Sequence, residues 1–265
     1  MTLRAPVDMI WQTPGGVHIG FLLSLAVSVP GEGAGFVRAV QLDVHEHPAL
    51  EGEDLVVDAT PRDGAWRCAM KQGAKTVATA RLDMRTAADR AVTSIAPPDI
   101  AGPEAYAVFT PPPGAMPPLS SRLEFRPTMQ PDGSTVRPGW DAVWVKPRAT
   151  LESLAETLCL MVEAWIPSVL HQSIVTRLRD ASPTLTPGVA PTVAVSATLP
   201  GADAAYRTWA REGVVMLTRP TAVMADLLVE DGEIWTQDAE LLLVWRSLRQ
   251  LAAFRVEDLD GAVTP

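Results

Sequence analysis

The sequence predicts an α+β fold made of two successive units, each with a helix packed on an antiparallel sheet. Two observations support this prediction. Strand-like runs joined by short turns favour antiparallel pairing, and the same order of elements, a helix and then several strands, occurs twice along the chain. Of the 265 residues, 47% are hydrophobic, which suits one large domain or two of ordinary size. Two such units would form a pseudo-dimer, and a pair of unrelated α+β domains is the alternative.

The first unit, residues 1–86, begins with a helix that follows Pro14-Gly15-Gly16. The segment from Val17 to Val29 has the length of a helix and mixes small with bulky apolar residues, so we expect it to be buried nearly all round. Four β-like runs come next. Arg62-Asp63-Gly64 and Lys71-Gln72-Gly73 separate three of these runs and predict hairpin turns.

A change of composition separates the two units. Residues 87–118 are small, acidic and rich in proline, and they have no persistent period, as is typical of a connector that passes over a surface. The second unit, residues 119–265, then repeats the order of elements. Two strand-like runs lead into a helix from about Leu151 to Ile166, for which Thr150 is a plausible N-cap, and further strand-like runs follow.

Charge and composition restrict the possible partners. A net charge of -9 and a pI near 4.9 argue against a nucleic-acid partner, because binding its backbone needs clustered Lys and Arg. No segment approaches the roughly 20 apolar residues of a membrane span, and the early apolar stretch lacks the flanks of a signal peptide. Cys68 and Cys159 have no metal-ligand spacing. We therefore expect a cytoplasmic protein without metal, cofactor, nucleic-acid partner or membrane partner.

Three motifs, taken in order, resemble one known family. "TPGGVHIGFLLSLA" is similar to its Gly-Gly start of a central helix, and "TPRDGAWRCAMKQGAKTVATARLDM" to its Arg-Asp-Gly hairpin. "EDGEIWTQDAELLLVWRSLRQLAAFR" is similar to its last hairpin, which ends in Ser-x-x-Gln and an Arg a few residues later. The chain thus resembles the TesB-like acyl-CoA thioesterases and their thioesterase-like relatives. The resemblance implies a tandem (double) hotdog fold. It also implies an enzyme of fatty acid metabolism that hydrolyses an acyl-CoA to free acid and CoA.

The resemblance implies a hydrolytic site made of an Asp, a Thr or Ser, and a Gln. Carried over to this chain, the Asp position falls on Glu163, which is one methylene longer, the Thr on Thr192, and the Gln on Gln250. Glu163 would take a proton from the attacking water, and Thr192 would hold that water through its hydroxyl. The amide of Gln250 would orient the water or the thioester carbonyl.

Four more residues are candidates for binding the acyl-CoA substrate. Gly15 and Gly16 allow a close backbone approach at a helix start, where free N–H groups could bind a carbonyl oxygen or a phosphate. A plain N-terminal turn is the alternative for this pair. Arg246 and Arg249 are the candidates for the CoA diphosphate.

Several alternatives stay open at this point. Glu163 either continues the solvated line of Glu152 and Glu156 or enters an apolar interface between the two units, where desolvation would raise its pKa. The first functional alternative is a catalytically inactive acyl-CoA-binding double hotdog protein. The second is a hotdog enoyl-CoA hydratase or dehydratase that uses His18. Two hotdog units in one chain could stand alone or pair further into a homo-oligomer.

Overall fold

The computed structural model describes residues 1–13, 16–30, 35–49, 53–85, 95–110, 121–128, 136–148, 162, 192–199, 212–224 and 227–250. Within these ranges the chain forms one α-helix, thirteen β-strands and two short 3-10 turns. No helix in the described ranges is both long enough and apolar enough to cross a membrane. The predicted helix between residues 151 and 166 lies outside the described residues, apart from the buried Val162.

The N-terminal half of the fold contains the helix and seven strands. These elements are β1 (Thr2–Ala5), β2 (Gln12–Thr13), β3 (Gly16–Val17), α1 (Ile19–Ser28), β4 (Phe36–Val44), β5 (Leu55–Arg62), β6 (Ala65–Gln72) and β7 (Lys75–Arg85). The C-terminal half contributes β8 (Leu123–Pro127), β9 (Asp141–Pro147), β10 (Thr192–Thr198), β11 (Val214–Met224), β12 (Leu227–Thr236) and β13 (Leu241–Gln250).

Eleven of these strands form one continuous antiparallel sheet. Its order is β1-β5-β6-β7-β4-β10-β13-β12-β11-β9-β8, while β2 and β3 pair separately. The strands β4 and β10 meet in the middle, with Gln41 opposite Ser196, and so join an N-terminal half-sheet to a C-terminal half-sheet. The expected tandem of antiparallel units is therefore confirmed. The unit boundaries near residues 86 and 118 stay a prediction.

The helix α1 packs against one face of this sheet, which we call the inner face. Every residue from Ile19 to Ala26 is buried, as expected from a helix that is apolar all round. Alternate residues of β4 and β7, among them Leu42 and Leu82, belong to the same apolar core as the helix. This alternation arises because successive side chains of a strand point to opposite faces.

The opposite, outer face of the C-terminal half-sheet carries an apolar cluster of its own. Over the C-terminal half-sheet, Trp140, Trp144 and Trp235 form a second apolar cluster together with residues of the 95–110 segment. This segment is tied to the sheet, because the indole nitrogen of Trp144 donates to the Ala101 carbonyl at 3.0 Å. Its backbone also meets the edge strand β8, where Phe109 donates to a carbonyl of that strand at 2.8 Å.

The two half-sheets repeat the same register around the pair Gln41 and Ser196. A local two-fold axis through this pair relates β4 to β10, β7 to β13 and β6 to β12. The match extends to irregularities, because β4 is bulged between Val37 and Ala39 and β10 is bulged between Thr192 and Ala194. Bulges are specific features rather than random defects. Each inner-face residue of one half therefore has a defined counterpart in the other.

Candidate functional site

Four polar side chains are buried together on the inner face of β10, β12 and β13. Thr192, Glu230, Ser247 and Arg249 have exposed fractions of 2%, 1%, 0% and 3%. The guanidinium of Arg249 donates through Nη2 to the Glu230 carboxylate at 2.8 Å. Thr192 lies directly opposite Arg249, and Ser247 lies directly opposite Glu230. We call these four residues the inner polar cluster.

The counterparts of the inner polar cluster in the N-terminal half-sheet are all apolar. The register pairs Val37 with Met84 as it pairs Thr192 with Arg249. It also pairs Trp66 with Leu82 as it pairs Glu230 with Ser247. These four apolar residues are Val37, Trp66, Leu82 and Met84, and all of them belong to the main core or pack against it. The same backbone positions therefore form a stable apolar core in one half of this chain.

Burying a charged pair without a functional reason is unfavourable. Removing each ion from water costs several kcal/mol, and a well-packed apolar replacement is often as stable or more stable. Because Trp66 and Met84 provide such a replacement at the equivalent positions, folding alone does not explain Glu230 and Arg249. The inner polar cluster is therefore the candidate functional site.

The strand β13 presents Arg249 and Gln250 to opposite faces of the sheet. Trp245, Ser247 and Arg249 are buried, whereas Arg246 and Gln250 are exposed. The alternation expected for a strand holds here, and it places Arg249 on the inner face with Thr192. A contact of Gln250 with the site stays a prediction, as does the role of Thr192. Glu163, the third member of the implied trio, lies outside the described residues.

Arg246 takes part in an ion-pair group on the outer face. Its Nε and Nη2 donate to the two carboxylate oxygens of Asp231 at 2.6 and 3.0 Å, and Arg219 lies 3.4 Å from the same carboxylate. Burial alone would raise the pKa of Asp231, but the hydrogen bond from Arg246 and further hydrogen bonds together hold it below its usual value. Arg246 thus has a carboxylate partner on the face opposite the inner polar cluster, and its role in binding CoA stays a prediction.

The start of α1 is capped by His18, and the role of Gly15 and Gly16 in binding substrate stays a prediction. The Nδ1 atom of His18 accepts a hydrogen bond from the Gly20 N–H at 3.1 Å, and the ring is buried. The backbone N–H of His18 donates to the Trp11 carbonyl at 2.7 Å. Because Nδ1 accepts, the proton of the neutral ring is on Nε2. Gly16 pairs with Thr13 in the β2–β3 ladder, and Gly15 lies outside the described residues.

Sequence reasoning missed Glu230 and Ser247, although a signal for Glu230 was present. In "LLVEDGEIWT", strand alternation puts Glu230 on the same face as Leu228 and Ile234. A carboxylate on an otherwise apolar strand face is a reason to look for a buried partner. Ser247 gives no such signal, because a single serine on a strand is ordinary.

The arrangement of the sheet and the helix is the double hotdog fold, with two repeats sharing one sheet. No protein-family model and no curated protein matches the sequence. Among solved structures, a protein of unknown function with a hot dog fold from Alicyclobacillus acidocaldarius is similar to this chain with a TM-score of 0.77 and 18% identity. That match covers 96% of this chain and 94% of the other.

Two further structures with this fold have names that state an activity. Acyl-CoA thioesterase II TesB2 from Mycobacterium marinum is similar with a TM-score of 0.69 and 15% identity, covering 96% of this chain and 93% of the other. The dehydratase domain of PpsC from Mycobacterium tuberculosis, solved in complex with C12:1-CoA, has a TM-score of 0.55 and 13% identity, covering 95% and 92%. The resemblance to the TesB-like thioesterases is thereby confirmed at the level of the fold.

Proposed function

We propose that this protein is an acyl-CoA thioesterase and that its hydrolytic site is the inner polar cluster, completed by Glu163. One observation carries the proposal. A buried, charged and hydrogen-bonded set occupies inner-face positions that are apolar in the other repeat. Glu and Arg are almost never fully buried unless they are paired, so a buried pair at these positions is a candidate for function. The likeness of the fold to a named acyl-CoA thioesterase supports this choice of reaction.

The proposed reaction is the attack of water on the thioester carbonyl. The water oxygen bonds to the carbonyl carbon while its proton passes to a carboxylate, for which Glu163 is the candidate. The tetrahedral intermediate then collapses, the carbon–sulfur bond breaks, and the CoA thiolate leaves and takes up a proton. The products are a free acid and CoA. The hydroxyl of Thr192 would hold the water, since it can both donate and accept.

Arg249 is the member of the cluster best suited to stabilise the negative oxygen of the intermediate. Its guanidinium is permanently charged, it is buried, and Glu230 holds it at 2.8 Å. A preorganised donor in a site without water is worth more than the same donor in solvent. Gln250 is the amide implied by the resemblance, but its exposed side chain favours Arg249 for this role.

The geometry of His18 favours hydrolysis over the hydratase or dehydratase alternative. A histidine that removes a substrate proton must have an unprotonated ring nitrogen directed at the substrate. In this chain Nδ1 is engaged by the Gly20 N–H, which leaves the proton on Nε2. The ring of His18 therefore caps α1 through Nδ1. Its Nε2 already carries a proton and is a poor base.

The direct test is to incubate the purified protein with a panel of acyl-CoAs and a thiol reagent that reports CoA release. We expect release that Glu163→Ala abolishes and that Glu163→Asp keeps, because Asp restores the carboxylate of the resembling family. Tight binding of acyl-CoA without release would point to the inactive binding protein. An absorbance change with enoyl-CoA would point to the hydratase.

A further inference from the structure

Ser247 and Trp245, on the inner face of β13, each have one buried polar atom without a hydrogen-bond partner in the described part of the chain. These atoms are Oγ of Ser247 and Nε1 of Trp245. Both residues are almost completely inaccessible, with exposed fractions of 0% and 2%. They are two residues apart on one strand, so both side chains point to the face that carries Arg249.

The indole of Trp245 packs closely against a glycine of the neighbouring strand. Gly232 lies directly opposite Trp245, and a Cβ added at Gly232 would overlap the indole ring, at Cε2 among other atoms. Because Nε1 is bonded to Cε2, this packing fixes the position of the unpartnered donor. A residue larger than glycine at position 232 would collide with the indole.

The N-terminal half-sheet again shows what the fold requires at these positions. The counterparts of Trp245, Ser247 and Arg249 on β7 are Ala80, Leu82 and Met84. The counterpart of Gly232 on β6 is Cys68. One repeat therefore presents an apolar column here, and the other presents a column with three hydrogen-bond donors.

Buried donors without partners are unfavourable, and the few that occur in native proteins call for an explanation. A plain hydrocarbon chain placed against this column would leave both donors unsatisfied. An oxygen atom on the bound acyl chain would accept from them. The indole N–H can only donate, and the serine hydroxyl can donate as well, so a hydroxyl or an oxo oxygen fits both.

We infer that Ser247 and Trp245 form a subsite for an oxygen substituent on the acyl chain. The preferred substrate is then a hydroxyacyl- or oxoacyl-CoA rather than a simple fatty acyl-CoA. The inference rests on the proposed thioesterase function and names its substrate class. A strand rises about 3.4 Å per residue, so along β13 Ser247 lies about 7 Å from Arg249 and Trp245 lies about 14 Å from Arg249. The substituent therefore lies away from the thioester carbon itself.

The test compares octanoyl-CoA with its isomers that carry one hydroxyl or one oxo group at successive carbons. Wild-type protein is expected to hydrolyse at least one isomer with kcat/KM about tenfold above that for octanoyl-CoA. This is the gain expected from one additional hydrogen bond to the substrate. Ser247→Ala removes one donor with little change of shape, whereas Trp245→Phe removes the other donor together with part of the buried ring. Each is expected to lower the ratio of kcat/KM for the preferred isomer to kcat/KM for octanoyl-CoA about tenfold.

Two substitutions on the outer face are the matched controls. Trp235→Phe removes an indole N–H that donates to Glu233 at 2.9 Å, and Ser196→Ala removes a hydroxyl from the exposed side of β10. Neither is expected to change the ratio between substituted and plain substrates. Equal hydrolysis of all isomers by wild-type protein would overturn the subsite and leave the thioesterase standing. Absence of any thioester hydrolysis would instead overturn the proposed function on which the subsite depends.

A stability measurement keeps the inference testable if a variant loses activity through misfolding. Removal of an unsatisfied hydroxyl leaves the melting temperature of ligand-free Ser247→Ala unchanged or raises it. A fall of several degrees would mean that the hydroxyl has a structural partner, and this result would contradict the inference.

Discussion

The two half-sheets of this protein share one backbone plan and differ in what they place on the inner face. Where the N-terminal half has Val37 and Met84, the C-terminal half has Thr192 and Arg249. Each pair lies next to the corresponding bulge of its own half. On the outer face, Arg81 of the N-terminal half corresponds to Arg246 of the C-terminal half. The comparison separates residues that the fold needs from residues that it only accommodates.

This difference shows how a repeated fold can acquire a site in one repeat only. An apolar core in the N-terminal half needs no partner groups. The polar set in the C-terminal half is tolerated because Arg249 and Glu230 satisfy each other at 2.8 Å, as buried charges must. The following predictions change one half toward the other and are ordered by expected size.

The largest expected effect is on stability, when one member of the buried ion pair is removed. Arg249→Met leaves Glu230 buried without its ion-pair partner, and this is expected to lower the free energy of unfolding by about 3–5 kcal/mol. Chemical denaturation monitored by circular dichroism measures the loss. Arg81→Met is the control, because Arg81 and Asp83 form an exposed pair, and its effect is expected to stay below about 1 kcal/mol. Equal losses in both variants would contradict the account.

A second large effect is expected on catalysis, from giving the C-terminal half the residue of the other half. Thr192→Val introduces the side chain present at Val37 and nearly preserves volume. It removes the hydroxyl proposed to hold the water, and we expect kcat to fall about a hundredfold with a smaller change in KM. Steady-state hydrolysis of the best acyl-CoA is the measurement. An unchanged kcat would remove Thr192 from the site.

A smaller effect is expected from repairing a like-charge pair on the outer face. Arg67 and Arg81 are directly opposite each other on β6 and β7, where the C-terminal half has Asp231 opposite Arg246. Arg67→Asp would copy the oppositely charged arrangement and is expected to stabilise the protein by about 0.2–1 kcal/mol at low salt. The gain should decrease when salt is added. A variant less stable than the wild type would show that the two outer faces are not equivalent.

The smallest effect is expected at Gln250. Its exposed side chain on the outer face leads us to expect that Gln250→Ala changes kcat/KM by no more than about threefold. The same acyl-CoA assay is used, with Thr192→Val measured beside it. A hundredfold loss would instead support the amide implied by the family resemblance and would weaken the assignment to Arg249.

Local pattern was enough to predict much of this fold. The strand β6 lies between Gly64 and Gly73, both at positive φ, and β7 begins soon after Gly73, so glycine turns set these strand limits as expected. The alternation of β13 was also readable in advance. The short edge strand β1 was not predicted, because its four residues are stabilised by distant pairing with β5.

The candidate site was harder to predict because it depends on contacts between strands. Glu230 and Arg249 meet only in one register of β12 against β13. A register irregularity between Ile234 and Trp235 lies between these residues and the turn that joins the two strands. A shift of one residue would turn Arg249 to the outer face. Sequence alone could name Arg249 as a candidate, but its buried carboxylate partner required the structure.

The most direct test of the central claim is a double substitution that makes the C-terminal half apolar, as the N-terminal half is. Glu230→Leu with Arg249→Met removes both charges of this ion pair together, so the double variant is expected to be more stable than Arg249→Met alone. The account predicts a folded protein whose kcat/KM for acyl-CoA hydrolysis is at least about a hundredfold below wild type. A folded double variant that hydrolyses acyl-CoA as fast as the wild type would show that the inner polar cluster is not the site.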